Sequence, residues 1–353
     1  MIDFKINVAG NIIRFRCDDP VPLYDPSDNM GLKNFLYSGT REEDIVFDIK
    51  YGPMPSFCGR EVLFRGGEEW VRSKWNGNTL IEYMETRLPG RVDRAAVIGP
   101  DMRRGTIYVN AEMTGEEEAA ARGIREARMT EEEKAQRMDR RAKRKAMAKS
   151  IVCKMPPEGV ILGRRIMGDT RGRLFQSFII EYLVKKRVGI LVHSACIKAF
   201  GETHLYMGPS GAGKSTISRI FHENAGARVL NDDRAILIQD EGVIDFCNAP
   251  WAGDFAGRCD IDAEERVRID RIFFIYHEKD NIARRVPDAE AVSYLFRNSF
   301  PVFWDKEDLD FVISLFKELV KSSRCYRLGF VRDGSVTGTI RKLIEVEDED
   351  GME

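Results

Sequence analysis

One glycine-rich segment constrains the fold of this chain more than any other feature of its sequence. Residues 208–216 read Gly-Pro-Ser-Gly-Ala-Gly-Lys-Ser-Thr and fit the pattern G-x-x-x-x-G-K-[ST]. The segment follows a strand-like run at 204–207 and precedes Ile217, Ile220 and Phe221, which share one face of a helix. Glycines between a strand and a helix let the backbone wrap around phosphate groups at the helix N-terminus. The sequence therefore predicts a phosphate-binding loop.

The residues of this loop have separable predicted roles. Lys214 supplies a mobile positive charge to the β- and γ-phosphates of a nucleoside triphosphate, and Ser215 offers its hydroxyl to Mg²⁺. ATP and Mg²⁺ are therefore the predicted ligands, although the motif does not distinguish ATP from GTP or pyrophosphate. The other residues predicted to bind the nucleotide are Gly208, Ser210, Gly211, Ala212, Gly213 and Thr216.

A pair of carboxylates follows the first strand after the loop helix. The pair is Asp232 and Asp233, within the run Asn-Asp-Asp-Arg at 231–234. Two carboxylates at a strand end can divide the work of phosphoryl transfer, since one can ligate Mg²⁺ while the other accepts the proton of an attacking hydroxyl. The alternative interpretation is a polar turn.

Four segments of the chain occur in the order found in one group of P-loop proteins. They are Val-His-Ser-Ala at 192–195, the loop at 208–216, Asn-Asp-Asp-Arg at 231–234 and Ala-Pro-Trp-Ala-Gly-Asp at 249–254. Over residues 185–340 the chain resembles the HPr kinase/phosphorylase-like group, which is related to ATP-dependent phosphoenolpyruvate carboxykinase. The resemblance implies an α/β (α+β) P-loop kinase domain of the HPr kinase type.

The resemblance also implies roles for individual residues. Asp232 would be the catalytic base and Asp233 a magnesium contact, an assignment that can be reversed. Asp254 would help to hold the metal or the acceptor. His193 lies just before the loop hairpin and would contact phosphate or steer Asp232; the alternative is a buried histidine with a purely structural role. The predicted catalytic residues are thus Asp232, His193 and Lys214, and the predicted metal ligands are Ser215, Asp233 and Asp254.

Two departures limit what the resemblance implies. Thr216 stands where the bifunctional HPr kinases have a glutamate, and their glycine-rich phosphorylase signature is not recognisable. Both observations argue against a reverse phosphorylase activity and against HPr as the substrate. The substrate-binding and metal-binding segments of phosphoenolpyruvate carboxykinases are not found either.

The sequence predicts three parts along the chain. Residues 1–111 are a β-rich domain with short apolar runs and glycine turns, and residues 150–353 are the P-loop catalytic domain. Between them, residues 112–149 are predicted to be a charged helical linker or insertion, because residues 116–149 hold eight acidic and eleven basic side chains. A docking arm for an acidic partner is the alternative for this segment.

Composition excludes several classes of partner. Fifty-five basic and 57 acidic residues give a net charge of −2, so nothing favours nucleic acid. No apolar run is long enough to span a membrane, and the start of the chain does not resemble a secretory signal. Seven cysteines without a C-x-x-C pair indicate a reducing compartment. A cytoplasmic location is expected, and a homo-oligomer is compatible with the sequence.

These features predict a kinase that transfers the γ-phosphoryl group of ATP to a hydroxyl, with serine in a protein or peptide as the favoured acceptor. Two alternatives remain open: a kinase for a small molecule such as free serine or a sugar, and a nucleotide-binding scaffold without transfer activity. Trp251 is either a core aromatic or a wall of the acceptor pocket. The residues interpreted as structural or as surface ion pairs are His204, His222, His277, Arg258, Arg284 and Arg285.

Overall fold

The computed structural model describes residues 2–17, 32–67, 69–84, 91–110, 173–253, 255 and 258–350. The segment at 112–149 and the predicted metal ligand Asp254 lie outside these residues. Among the described residues, those within Met1–Phe4, Arg14–Asp25 and Ile45–Leu174 form one compact unit, and those within Lys5–Ile13, Pro26–Asp44 and Phe175–Glu353 form a second. No helix in the described ranges is long and apolar enough to cross a membrane.

The strands of the N-terminal part form one eight-stranded sheet in the order β1-β2-β3-β8-β7-β6-β5-β4. Strands β3 and β8 pair in parallel, whereas β4 to β8 follow one another as antiparallel neighbours. Asn76 and Gly77 connect β5 to β6 with φ angles of 49° and 78°, the backbone of a tight two-residue hairpin turn. The strands are β1 Ile2–Val8, β2 Asn11–Cys17, β3 Ile45–Gly52, β4 Glu61–Gly66, β5 Trp70–Trp75, β6 Asn78–Met84, β7 Val92–Ile98 and β8 Arg104–Asn110.

Among the described residues, those from 173 to 350 form two sheets and five α-helices. The strands are β9 Gly189–Val192, β10 Ser194–Ala199, β11 Glu202–Met207, β12 Arg228–Asn231, β13 Ala235–Asp240, β14 Val243–Asn248, β15 Arg266–Arg268, β16 Arg271–His277, β17 Ile282–Arg285 and β18 Arg324–Phe330. The helices are α1 Arg173–Lys185, α2 Lys214–Ala225, α3 Asp288–Arg297, α4 Lys306–Ser322 and α5 Ser335–Asp350.

The six-stranded sheet has the order β12-β10-β11-β16-β18-β17, and the four-stranded sheet has the order β15-β14-β13-β9. Strands β11, β16 and β18 run parallel to one another, while β10, β12 and β17 run antiparallel to their neighbours. The four-stranded sheet pairs antiparallel throughout. The carboxyl ends of the three parallel strands consequently meet at one edge of the larger sheet.

The predicted α/β P-loop kinase fold of the HPr kinase type is wrong. Strands make up 42% of the described residues and helices 27%, arranged in three sheets that include the eight-stranded one. A doubly wound α/β fold joins parallel strands through helices. Here Phe200 and Gly201, with φ angles of 56° and 83°, turn the chain straight back, so that β10 and β11 form an antiparallel hairpin with no helix between them.

An apolar cluster beneath α2 fixes this helix against the six-stranded sheet. Ile217 and Phe221 are fully buried there with Phe273, Phe330 and Ile340, which come from β16, β18 and α5. The predicted helical face of α2 is therefore confirmed. Helix α2 ends at Ala225 because Gly226 takes a left-handed conformation and donates its N–H to the Phe221 carbonyl. This packing holds the N-terminus of α2 at the carboxyl edge of the sheet.

Candidate active site

The glycine-rich loop connects the end of β11 to the start of α2. Its glycines are required because some adopt left-handed backbone angles and because an added Cβ atom would clash with neighbouring atoms. Gly211 and Gly213 have φ angles of 83° and 105°, in the left-handed region. A Cβ atom on Gly213 would lie 2.8 Å from Phe330 Cζ. A Cβ atom on Gly208 would lie 2.8 Å from the Ala212 Cβ and 3.0 Å from a carbonyl oxygen of β16. The loop is held close to both neighbouring strands.

The loop presents a row of backbone amides at the N-terminus of α2. The first hydrogen bond of the helix runs from the Ile217 N–H to the Gly213 carbonyl, and the Ala212 N–H donates to the Pro209 carbonyl. Within the described ranges, no acceptor is bonded to the amides of Gly211, Gly213, Lys214, Ser215 and Thr216. Unpaired amides combined with the positive end of a helix form an anion-binding site. The geometry fits phosphate groups.

Lys214 places its ammonium group within this loop. Its side chain is buried, and Nζ donates to the carbonyls of Gly208 at 2.7 Å and Pro209 at 3.2 Å. Burial lowers the pKa of Lys214 to about 8, against the opposing influence of Asp233 and Asp232. The positive charge of Lys214 is thus held next to the amides. The ammonium group loses its proton as the pH rises through about 8, close to the physiological range.

A metal ion at the loop would need a bound nucleotide to supply most of its ligands. Among the described residues, no group of three or more His, Cys, Asp or Glu side chains could hold a metal ion. Ser215 lies in the first turn of α2, and Asp233 follows β12. Mg²⁺ in phosphate-transfer sites is commonly held by one or two protein oxygens together with water and phosphate oxygens. Ser215 could provide such an oxygen when a nucleotide is bound.

Asp232 accepts hydrogen bonds from the backbone of a neighbouring loop. Its Oδ1 accepts from the Gly253 N–H at 2.7 Å, and its Oδ2 accepts from the Phe255 N–H at 2.9 Å. The residue is 1% exposed. A Cβ atom on Gly253 would lie 2.6 Å from Asp232 Oδ2, so the fit between the two residues is close. Both oxygens of this carboxylate hold the loop that follows β14.

Asp233 has a different environment, although it is the next residue. Its Oδ1 lies 3.0 Å from His193 Nε2 and accepts from Arg234 Nη1 at 2.7 Å. No described residue donates to its Oδ2, and 29% of the side chain is exposed. Burial alone would raise the pKa of Asp233, but the His193 hydrogen bond and the charges of Arg234 and Lys214 outweigh burial and hold the pKa below its ordinary value. Asp233 is therefore ionised with one oxygen open.

His193 lies between β9 and β10 and orients Asp233. Its backbone N–H donates to the Asn298 carbonyl at 2.7 Å, which fixes the residue against the segment after α3. Burial lowers the pKa of His193, and Lys214 and Arg234 lower it further, despite the hydrogen bond to Asp233. The imidazole is therefore neutral near pH 7, and we assign its Nε2–H as the donor to the Asp233 carboxylate.

Asn231 forms the turn that directs the carboxylates of Asp232 and Asp233 to different partners. Its side-chain amide donates to the carbonyls of Ala249 at 3.3 Å and Trp251 at 3.1 Å. Its Oδ1 accepts from the backbone amides of Asp233 at 3.0 Å and Arg234 at 3.2 Å. This buried asparagine forms a tight turn of the kind that asparagine side chains favour. Asn231 has no predicted role from the sequence, although an asparagine directly before the pair is a signal for such a turn.

His277 is a further contact of the loop that sequence analysis missed, since it was interpreted as structural. The residue ends β16, and its Nε2 lies 3.0 Å from the Gly211 carbonyl oxygen and 2.8 Å from Arg332 Nη2. Parallel pairing of β11 with β16 brings His277 to the loop, 66 residues further along the chain. No local sequence signal marks such a contact.

Other predicted residues make contacts away from the carboxylates. Trp251 is buried with its ring 5.6 Å from that of Phe175, which fits the core interpretation. Arg258 lies 3.7 Å from Glu223 in an exposed ion pair, and Arg285 donates to the Tyr326 hydroxyl. His204 is fully buried beside Glu202 and Tyr206. His222 packs edge-on against Phe255.

Comparison with known proteins adds no assignment. No model of a known protein family matches the chain, and no curated protein sequence matches it. The functional interpretation therefore depends on the loop, on Lys214 and on the cluster formed by His193, Asp233 and Arg234.

Proposed function

We propose that this protein is an ATP- and Mg²⁺-dependent phosphotransferase that transfers the γ-phosphoryl group to a hydroxyl. The proposal is supported by the loop of unpaired amides at the N-terminus of α2, with the Lys214 ammonium beside it. It does not depend on the α/β fold implied by the family resemblance, because the support comes from the local geometry of residues 208–216.

The observation that carries the transfer step is the difference between the two adjacent carboxylates. Both oxygens of Asp232 accept backbone hydrogen bonds, whereas Asp233 has one oxygen to which no described residue donates. A general base needs an open oxygen within hydrogen-bond distance of the proton it accepts. Asp233 is therefore the proposed base, and Asp232 is the proposed anchor of Gly253 and Phe255.

Each residue of the site has a definite part in this proposal. Bound MgATP supplies the phosphoryl group and its leaving group. Lys214 and the loop amides compensate the negative charge on the phosphates, and Ser215 offers a hydroxyl to the metal. Asp233 Oδ2 accepts the proton of the attacking hydroxyl. His193 and Arg234 hold Oδ1, so that Oδ2 keeps one orientation. Positioning and electrostatics would thus provide most of the catalysis.

Incubation with labelled ATP and Mg²⁺ tests the proposal. The acceptor panel should contain peptides, free serine, sugars and small hydroxy acids, and nucleotide binding should be measured in parallel by calorimetry. Transfer of label to any hydroxyl, lost in Asp233→Asn, supports the proposal. A protein that binds nucleotide tightly but labels no acceptor would instead be a nucleotide-binding scaffold. A protein that binds no nucleotide would refute the proposed function of the loop.

A further inference from the structure

The guanidinium group of Arg234 is fixed on two sides and has no hydrogen-bond partner among the described residues on a third. Nη1 donates to the Asp233 carboxylate at 2.7 Å and to the Asp233 carbonyl at 3.1 Å. The guanidinium carbon lies 4.8 Å from the centre of the Phe300 ring, within the range of a cation–π contact. Nε is buried, and no described residue accepts its hydrogen. The third side of the guanidinium is therefore an unused donor edge.

This unused edge has the geometry of an anion-binding group. A buried N–H without an acceptor is unfavourable, and more so in a charged group. Nε and Nη2 project their hydrogens from the same edge of the planar guanidinium, and two parallel N–H donors match the two oxygens of a carboxylate or phosphate. Within the described ranges, Nη2 of Arg234 forms no hydrogen bond either. The two open donors belong to a group that is already held rigidly.

The adjacent carboxylate indicates what binds there. Asp233 Oδ2 is open to a hydroxyl, and Asp233 Oδ1 touches Arg234 Nη1. Because the guanidinium and the carboxylate are in direct contact, a molecule that binds both is expected to be short. Its hydroxyl would lie on Asp233, its acidic group would lie on Arg234, and only a few covalent bonds would separate the two. Small hydroxy acids meet this requirement.

We propose that the Nε–Nη2 edge of Arg234 binds an anionic group of the acceptor, and that the acceptor is a small hydroxy acid carrying a carboxylate or a phosphate. The inference rests on the proposed function, because it names the acceptor class of the same site. Arg234 is a specificity residue in this scheme, and Phe300 supports its orientation. The same edge serves a carboxylate or a phosphate, so the two sources of the anion are separate arms of the test.

Matched acceptors test the inference. Transfer of label from ATP is compared for glycerate and glycerol 3-phosphate against glycerol, and for serine against serinamide. In the wild-type protein we expect kcat/KM to be higher for the acids, on the order of 10²-fold, as for a charge-assisted pair of hydrogen bonds. In Arg234→Gln this ratio should fall towards one. A preference for glycerate identifies a carboxylate, and a preference for glycerol 3-phosphate identifies a phosphate; either result supports the inference.

A matched control tests whether the loss of acid preference is specific to Arg234 or follows from replacing any arginine that packs on an aromatic ring. Arg285 also lies over an aromatic ring, 5.2 Å from the centre of Tyr326, and donates to its hydroxyl. Arg285→Gln should keep the acid preference of the wild-type protein. Arg234→Lys retains the positive charge but not the paired donors, so we expect an intermediate preference. This second variant keeps the test valid if Arg234→Gln does not fold.

Four results would overturn the inference. The first is the absence of an acid preference in the wild-type protein, and the second is its persistence in both Arg234 variants. The third is an equal loss of transfer to acids and neutral alcohols in Arg234→Gln with a raised KM for ATP, which would place Arg234 on the donor phosphates. The fourth is a preference for a serine peptide with an adjacent glutamate over all small acids, which would indicate a protein acceptor.

Calorimetry separates failure of the inference from failure of the proposed function. Glycerate, glycerol 3-phosphate and glycerol are titrated into the protein without nucleotide. Binding of an acid that is lost in Arg234→Gln, without any transfer of label, supports the anion site and refutes the phosphotransferase. Transfer to glycerol and to the acids at equal rates refutes the anion site and supports the phosphotransferase.

Discussion

Asp232 and Asp233 are consecutive residues whose carboxylates face different partners. Asp232 is buried, with each oxygen accepting a backbone N–H, whereas Asp233 shares one oxygen between His193 and Arg234 and leaves the other open. One carboxylate is thus part of the scaffold, and the other is available for chemistry. Substitutions of the two residues should have separable effects.

Asp233→Asn should reduce phosphoryl transfer by roughly 10²–10⁴-fold, the usual contribution of a positioned general base. Nucleotide affinity should change little because the asparagine keeps the shape of the side chain, while the melting temperature should fall modestly because the charge that pairs with Arg234 is lost. Asp232→Asn should instead destabilise the fold by about 1–3 kcal/mol, since an amide can accept only one of the two backbone hydrogen bonds. Transfer assays and urea unfolding of both variants check this. Exchanged phenotypes would show that Asp232 is the base.

Lys214→Ala should abolish transfer and weaken nucleotide binding. The substitution removes the ammonium group that the loop holds beside the carbonyls of Gly208 and Pro209. Charge-assisted contacts of this kind contribute about 1.5–3 kcal/mol each. Calorimetric titration with ATP and the labelled-ATP assay measure both effects. Wild-type turnover in this variant would contradict the proposed function of the loop.

Nucleotide affinity should fall as the pH rises through about 8, because the pKa of Lys214 is lowered to about 8 by burial. The charged fraction of such a group drops about tenfold between pH 7 and pH 9. Titrations with ATP across this range should show the decline, and Lys214→Met should remove it. An affinity that is independent of pH in the wild-type protein would show that the charge of Lys214 is not used.

The same lowered pKa affects the stability of the protein without nucleotide. Lys214 in the unfolded chain keeps its ordinary pKa of 10.5, so between pH 8 and 10.5 the unfolded state binds more protons than the folded state. This group therefore makes the free energy of unfolding increase with pH across that window. Urea unfolding at several pH values should show a smaller increase in Lys214→Met than in the wild-type protein.

His277→Phe should raise the nucleotide dissociation constant by about threefold to tenfold, the value of one hydrogen bond. The phenyl ring retains the packing but loses the polar contact of Nε2, which can either donate to the Gly211 carbonyl at 3.0 Å or accept from Arg332 Nη2 at 2.8 Å. His277→Gln, which keeps a donor, should restore part of the affinity. Equal affinities in all three proteins would show that the contact does not position the loop.

Gly253→Ala should destabilise the second unit, because the added Cβ atom would lie 2.6 Å from Asp232 Oδ2. Overpacking of this kind typically lowers the free energy of unfolding by about 1–3 kcal/mol. Gly338→Ala is the control: its Cβ atom would meet nothing within 4 Å in helix α5, so it should stabilise by about 0.5–1 kcal/mol. Urea unfolding measures both. Equal stabilities would contradict the close fit at Gly253.

The loop and its helix could be predicted because their signals are local. Strand β11, residues 208–213 and helix α2 are contiguous, so spacing alone identifies the glycines, Lys214 and the buried face of the helix. The α/β fold could not be predicted correctly, since buried apolar runs such as 189–192 and 204–207 suit parallel and antiparallel strands equally. The glycine turn between β10 and β11 could be predicted, but the pairing of the hairpin with its neighbouring strands depends on tertiary structure.

The roles of the carboxylates could not be predicted for a different reason. The sequence predicts that Asp232 and Asp233 divide the work of phosphoryl transfer, in an assignment that can be reversed, but it does not say which carboxylate is held by backbone amides. The answer depends on Asn231 and on the backbone amides of Gly253 and Phe255, which reach the pair through tertiary structure. The contact between His277 and Gly211 depends in the same way on strand pairing.

The single open oxygen of Asp233 has a consequence for regiochemistry. An acceptor held by its anion on Arg234 and by its hydroxyl on Asp233 Oδ2 is attached at two points that lie a fixed distance apart. In an acid that carries two hydroxyls, such as glycerate, only the hydroxyl at the matching distance from the anion can reach Oδ2. Such an acceptor should therefore be phosphorylated at one of its hydroxyls and not at the other.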